Sequence, residues 1–322
     1  MNLFKHAIVL VAATASMAAF AQDNYPTKPI RLVVPFPPGG GTDIIARDVA
    51  NKISTTLGWD FVIENKPGSG GNLGVDTAAK ARPDGYTLAL GQTSNLSVNP
   101  TLYSNLPYDS VKGLTAISLV ASAPLVLVVA SNSPMKSWED VVKTAKEQPG
   151  KLNFASPGNG TVAHLTSELL QKTADIKFTH IPYKGAAQAV TDLIGGRVDL
   201  YASSVPTLLS SIKSGKLRAI AVTSKERVDD MPDIPTVAES GNKGFESATW
   251  FGFVGPAGIP KPIVEKLNSE INKALATDDL KTKLREQGAQ VLGGSPEQFS
   301  SLIKEEIDRW AIIIKDSGTK IE

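Results

Sequence analysis

Short β-branched runs alternate with amphipathic stretches along most of the chain. Residues 30–35 (IRLVVP) are the first such run and predict a strand. A Pro/Gly cluster follows at 36–41, with Thr42-Asp43 as an N-cap pair. A helix then carries Ile45, Val49, Ile53 and Leu57 on one face. Residues 61–64 predict a second strand, 68–71 a flexible turn and 74–81 the start of another helix. A third strand at 86–90 ends in Gly91-Gln92-Thr93-Ser94-Asn95. This β-α-β-α-β order implies a parallel sheet covered by helices.

The pattern restarts after residues 117–120 and a break at Pro124. Strands are expected at 125–130, 152–155, 179–183, 198–202 and 217–223, with helices at 138–147, 162–172, 186–194 and 205–213. The tail is different: a strand at 249–255 precedes three amphipathic helices at 262–276, 279–287 and 296–316. No further βαβ series occurs there, so the tail is expected to return and complete the first unit. Residues 22–122 with 247–322 then form one domain and 123–246 the other. At roughly 150 residues per domain, a length of 322 agrees with two.

Charge narrows the partners. Lys5 is the only charged residue in the first 21, so the rest carries 32 charges of each sign. A balanced chain has no surplus of cations to release counterions, which argues against nucleic acid. It argues equally against an anionic membrane surface. There is no cysteine, which excludes disulfides, thiol nucleophiles and a lipid-modified N-terminal cysteine.

The first 21 residues read as a secretory signal peptide. Lys5 and His6 open it, residues 7–18 are mostly apolar, and Ala19-Phe20-Ala21 fits a small-x-small cleavage site. The run is shorter than the roughly 20 residues of a membrane span. Cleavage after Ala21 and export to the periplasm are therefore expected.

Two glycine-rich loops occupy equivalent places, one per unit. Each follows a strand and opens a helix: Phe36-Pro37-Pro38-Gly39-Gly40-Gly41-Thr42 and Ser156-Pro157-Gly158-Asn159-Gly160-Thr161. In open α/β sheets ligands sit at the carboxyl ends of the strands. A helix start offers unpaired N–H groups and a positive dipole end, so two such loops facing each other suit a small anion without Lys or Arg. Asp43 would repel that anion and reads as a structural cap. Ser156 and Thr161 either cap their helix or donate hydroxyls to the ligand. Phe36, Tyr183 and Trp250 either wall the cleft or belong to the core.

Other chemistry lacks a signature. Gly39-x-Gly41 misses the third glycine of the dinucleotide fingerprint, and neither a Walker sequence nor a G-x-S-x-G elbow is present. His164 and His180, the histidines beyond residue 21, have no zinc-site spacing. His164 reads as a surface or supporting residue. No metal, cofactor or catalytic residue is assigned.

The sequence resembles the Bug-type extracytoplasmic receptors of tripartite tricarboxylate transporters. The resemblance is carried by Tyr25-Pro26-x-Lys28-Pro29-Ile30-Arg31, Val34-Pro35-Phe36-Pro37-Pro38-Gly39-Gly40-x-Thr42-Asp43 and Glu64-Asn65-Lys66-Pro67-Gly68-x-Gly70-Gly71. Pro83-Asp84-Gly85-Tyr86-Thr87-Leu88, Pro182-Tyr183-Lys184-Gly185 and Gly255-Pro256-Ala257-Gly258-x-Pro260 complete it. It implies a two-domain type II periplasmic-binding-protein fold, a Venus flytrap with the ligand cleft between domains. It also implies a monomeric, non-enzymatic receptor that delivers a small carboxylate to membrane permease subunits. By position, the implied ligand contacts are Phe36, Gly39, Gly40 and Thr42 in the first loop, and Ser156, Gly158, Asn159, Gly160 and Thr161 in the second. Thr93, Ser94, Tyr183 and Ser203 at other strand ends join them. The alternative is a secreted α/β enzyme acting on a small acid, which would need Asp, Glu or His converging with Ser in the cleft.

Overall fold

A computed structural model describes residues 25–320, so the segment read as a signal peptide and its expected cleavage site lie outside the described residues. The first half is built on β1 (Ile30–Val34), β2 (Phe61–Asn65) and β3 (Thr87–Gln92), which lie parallel with β1 in the middle. β9 (Ala248–Pro256) returns to pair antiparallel with β3. The sheet is therefore mixed, because the returning strand enters from the opposite end.

β4 (Leu114–Ala130) joins the halves. Its first part, to Pro124, pairs with β9, and its second part pairs with β7 (Leu200–Ser204) and β8 (Leu217–Val222). β7 continues in parallel to β5 (Asn153–Ser156) and β6 (Thr179–Pro182). The break expected at Pro124 is not a break: one strand of 17 residues runs through it. Proline lacks an N–H, and a central strand normally excludes it. Here it sits where the strand changes partners. The N–H of Leu125 donates to Thr223 Oγ1 at 2.8 Å, so a side chain replaces the ladder at the changeover.

Helices cover both halves. In the first are α1 (Gly41–Leu57), α2 (Asn72–Ala79) and α3 (Asn99–Leu102). α4 (Trp138–Glu147), α5 (Val162–Ala174), α6 (Ala186–Ile194) and α7 (Val205–Lys213) belong to the second. α8 (Lys261–Ala276), α9 (Asp278–Arg285) and α10 (Pro296–Ser317) form the tail, with β10 (Gln290–Val291) against β4. Ile45, Val49 and Ile53 of α1 are fully buried against β1 and α8. Leu57, expected on that face, is the last residue of the helix and is exposed.

The tail serves more than the first half. On α10, Phe299 and Ile303 pack with Val33, Leu96 and Trp250. Further along the same stripe, Trp310 and Ile314 pack with Leu127, Trp138 and Phe154 of the second half.

Candidate functional site

The carboxyl ends of β1, β3, β5 and β7 point at one another across the junction, and each strand feeds a helix there or close by. A cavity of about 50 Å³ lies between them. One water occupies roughly 10–15 Å³ of such space, so the pocket holds only a few waters. Its lining comes from Phe36, Pro37 and Gly40 to Thr42, from Gln92 and Ser94, from Pro157 and Thr161 to Ala163, from Gly185 and Ala186, and from Ser203, Ser204 and Thr207. Leu125 and Thr249 complete it, and no ionisable side chain is among them.

Four helix starts converge on this pocket: α1, α5, α6 and α7. The first amides of a helix have no partner within it. Some are satisfied across the cleft: the Gly41 N–H donates to Thr207 Oγ1 at 2.9 Å, and the Val162 N–H to Ser94 Oγ at 3.1 Å. The amides of Thr42, Ala163 and Ala186 have no partner among the described residues, and all three residues line the cavity. The site thus presents positive dipole ends, free N–H groups and hydroxyls within an apolar frame of Phe36, Pro37, Leu125 and Pro157.

The two walls touch at glycines. A Cβ on Gly41 would lie 2.4 Å from Ser204 Oγ, and one on Gly185 would lie 2.7 Å from Pro37 Cγ. Gly185 also has φ = 142°, which side-chain-bearing residues rarely adopt. Glycine at both positions lets the first loop seat against α6 and α7.

Asp43 does not face the ligand space as a bare charge. The helix begins one residue after Gly40, with no side-chain cap from Thr42. Asp43 Oδ2 instead accepts the Gly39 N–H at 3.0 Å, and the carboxylate is held by Arg47 and Asn65. Burial raises its pKa, but hydrogen bonds from Arg47, Gly39 and Asn65 outweigh that and hold it below the usual carboxylate value. Gly39 is thereby tied to its own helix and does not line the pocket.

The second loop folds on itself. Thr161 Oγ1 donates to the Gly158 carbonyl at 2.7 Å and also accepts the His164 N–H as an N-cap. Ser156 Oγ bonds back to Gly158, so Pro157 and Thr161 reach the cavity while Ser156, Gly158, Asn159 and Gly160 do not line it. Asn159 turns its carbonyl towards Gly70 of the first half. Thr93 is fully buried, and its Oγ1 accepts the Trp250 N–H. The Tyr183 hydroxyl donates to Asp192 Oδ2 at 2.9 Å, away from the cavity. Phe36, Gly40, Thr42, Ser94, Thr161 and Ser203 are the expected residues that meet.

Sequence reasoning missed Ala186 and Thr207. Both stand in the first turn of helices that follow β6 and β7, the same strand-to-helix placement as the two glycine loops. Only the glycine content had drawn attention to the loops.

Beneath the second loop lie two stacked imidazoles. The rings of His164 and His180 are 4.0 Å apart and inclined by 11°. His180 Nε2 meets Ser156 Oγ at 2.7 Å, and His164 Nδ1 accepts the Gly160 N–H at 3.4 Å. His164, read as a surface or supporting residue, is 6% exposed and so supports the loop from beneath. A Ser–His contact invites comparison with a nucleophile and its base. Ser156, however, is fully buried and its hydroxyl is engaged by its own loop. Burial lowers the His164 pKa to about 4, and burial with the neighbouring His164 lowers that of His180 to about 3. A base that weak does not activate a hydroxyl at neutral pH.

These shifts set a pH dependence. Both folded-state values lie below the usual 6.5, so the unfolded chain binds more protons. Their stabilisation is complete above about pH 6.5 and is lost as pH falls towards 4 and then 3. Urea unfolding between pH 7 and 5 is expected to lose up to about 1.4 kcal/mol per pH unit for each imidazole. His180→Asn should flatten that slope, and an equal slope in parent and variant would refute the assignment.

A family model described as "Tripartite tricarboxylate transporter family receptor" matches residues 45–319. The structure of "periplasmic binding protein BugD" superposes with TM-score 0.88 at 36% identity, covering 92% of this chain and all of that one. "R. palustris Rpa4515 with adipate" gives 0.89 at 35% identity, covering 92% and 99%. "MatC (Rpa3494) from Rhodopseudomonas palustris with bound malate" gives 0.83 at 32% identity, covering 90% and 100%.

Proposed function

Because the chain belongs to the tripartite tricarboxylate transporter receptor family, we propose that it captures a small organic carboxylate between its halves and delivers it to the permease subunits of such a transporter. The family consists of transport receptors and not enzymes. The observation that carries the reading is the convergence of four helix starts on a pocket whose lining has no ionisable side chain. Dipole ends and unpaired amides bind a carboxylate without a counter-cation. Likeness to an adipate-bound and a malate-bound protein supports the same ligand class.

In this reading Thr42, Ala163 and Ala186 supply amides, while Ser94, Ser203, Ser204 and Thr207 supply hydroxyls. Phe36 covers the carbon skeleton. The two halves part about the Pro124–Ala248 pair, admit the acid and close, so binding shifts the population towards the closed form. The receptor works as a monomer in the periplasm after cleavage behind Ala21. No helix among the described residues is long and apolar enough to cross a membrane.

Native mass spectrometry of the protein purified from its host without refolding tests this directly. A retained small acid, released unchanged on denaturation, is the expected result. A thermal-shift panel of adipate, malate, citrate and benzoate extends the test, since a ligand that binds only the folded form raises Tm. Turnover of a bound acid, or no adduct together with no shift across the panel, would refute the reading.

A further inference from the structure

Two strand crossings join the halves, and they lie side by side. β4 passes through Pro124, and the chain re-enters the first half at Ala248, its register partner. Thr223 Oγ1 ties the pair together, donating to the Ser247 carbonyl at 2.6 Å and accepting the Leu125 N–H. Two adjacent crossings leave rotation free about the line through them, so something else must set how far the halves open.

α10 supplies a third link, and its centre is a buried carboxylate. Glu306 is 9% exposed. Its Oε2 accepts the Trp310 Nε1–H at 3.1 Å and the Trp250 Nε1–H at 3.3 Å. Its Oε1 accepts Arg309 Nη1 at 2.9 Å. The two indoles belong to different cores. Trp250 packs edge-on against Phe299 in the first half, and Trp310 packs with Trp138 and Phe154 in the second. One oxygen therefore joins both cores.

The same link reaches the pocket. The Trp250 backbone N–H donates to Thr93 Oγ1 at 2.9 Å, and Thr93 stands between Gln92 and Ser94, which line the cavity. A carboxylate is costly to bury, and two apolar contacts would fill this space at lower cost. What it adds is direction, because both N–H groups must point at it.

We propose that Glu306 is a positioning residue that clamps Trp250 to Trp310 and thereby sets the opening angle of the cleft. The inference rests on the two-half closure described above but not on the identity of the ligand. Loss of the clamp widens the range of open forms and lowers the fraction competent to bind. Apparent affinity falls in proportion to that fraction.

The absence of cysteine makes the test clean. Asn51→Cys on α1 and Lys213→Cys at the end of α7 are both exposed and take spin labels. Pulsed dipolar spectroscopy then reads the distance distribution between halves without any ligand. Glu306→Met, which keeps the length of the side chain but has no oxygen to accept either indole N–H, is expected to broaden and lengthen it, Trp250→Phe to do the same more weakly, and the double variant to match Glu306→Met alone. With adipate as probe, the dissociation constant should rise about fivefold if the competent fraction falls fivefold. If adipate does not bind the parent, that result bears on the carboxylate reading, while the ligand-free distances still decide this one. Trp250→Phe removes a single N–H and serves if Glu306→Met fails to fold. Unchanged distance distributions in a folded variant would overturn the proposal.

Discussion

Replacing Gly41 with leucine is expected to abolish carboxylate capture while leaving the fold as stable as before. Gly41 is the first residue of α1, with ordinary helical backbone, and leucine is the better helix former there. The cost falls on the cleft. A Cβ at this position already meets Ser204 Oγ at 2.4 Å and Thr207 Oγ1 at 3.2 Å. Rotation of a hydroxyl relieves a methyl group, but the remaining carbons of leucine must enter a cavity of about 50 Å³ or hold the halves apart. Either outcome removes the ligand from the amides of Thr42 and Ala163. Affinity should fall at least 100-fold, about 2.7 kcal/mol. Gly41→Ala should fall between parent and Gly41→Leu. Calorimetric titration with the acid found by native mass spectrometry, beside a melting curve, checks both halves of the statement. Binding within threefold of the parent would sink it.

That expectation turns on a glycine flagged in the sequence only as part of a loop, and the site was legible to that depth. The strand-loop-helix grammar pointed to Phe36, Gly40, Thr42, Ser94, Thr161 and Ser203, and all six line the cavity. It could not say which atoms of a loop face inward. Gly158, Asn159 and Gly160 are turned aside because Ser156 and Thr161 spend their hydroxyls on the loop itself. Local hydrogen bonds of that kind leave no periodic trace. Ala186 and Thr207 present an amide and a hydroxyl at helix starts, where the residue type carries little information.

The fold was legible wherever one face of an element is buried by its own neighbours. The helices Trp138–Glu147, Ala186–Ile194 and Val205–Lys213 fall on the residues that periodicity marks. It was illegible where one element serves two partners. β4 reads as two strands because Pro124 marks a change of partner, not an end. α10 shows one unbroken apolar stripe, although its first turns belong to one core and its later turns to another. The irregular turn Ser94–Val98, a single π-helical turn, has no signature at all. It exists because Asn95 Oδ1 accepts the Gln92 N–H and Val98 is buried against the second half.

The opposite dissociation is expected at Trp138. This side chain is fully buried at the start of α4, behind a capping box of Ser137 and Asp140. Its Nε1–H donates to Asn242 Oδ1 at 2.9 Å, and Asn242 in turn donates to Thr173. Trp138→Ala opens a cavity in the second-half core, a loss of about 3–5 kcal/mol. It also strands the Asn242 acceptor, which adds about 1–3 kcal/mol. Unfolding monitored in urea should show the loss, and Tm should fall by roughly 10 °C or more. Trp138→Phe keeps most of the packing but not the hydrogen bond, so its cost should approach the second figure alone. Trp138 is not itself among the residues that line the cavity. The folded fraction should therefore bind the acid with the parent's affinity at temperatures well below the new Tm. An unfolding free energy unchanged in Trp138→Ala would contradict the assigned burial. Weakened binding in the fully folded variant would mean that the second-half core, and not only its loops, sets the geometry of capture. Gly41 and Trp138 thus separate two properties: the space left in the pocket, and the stability of the second-half core.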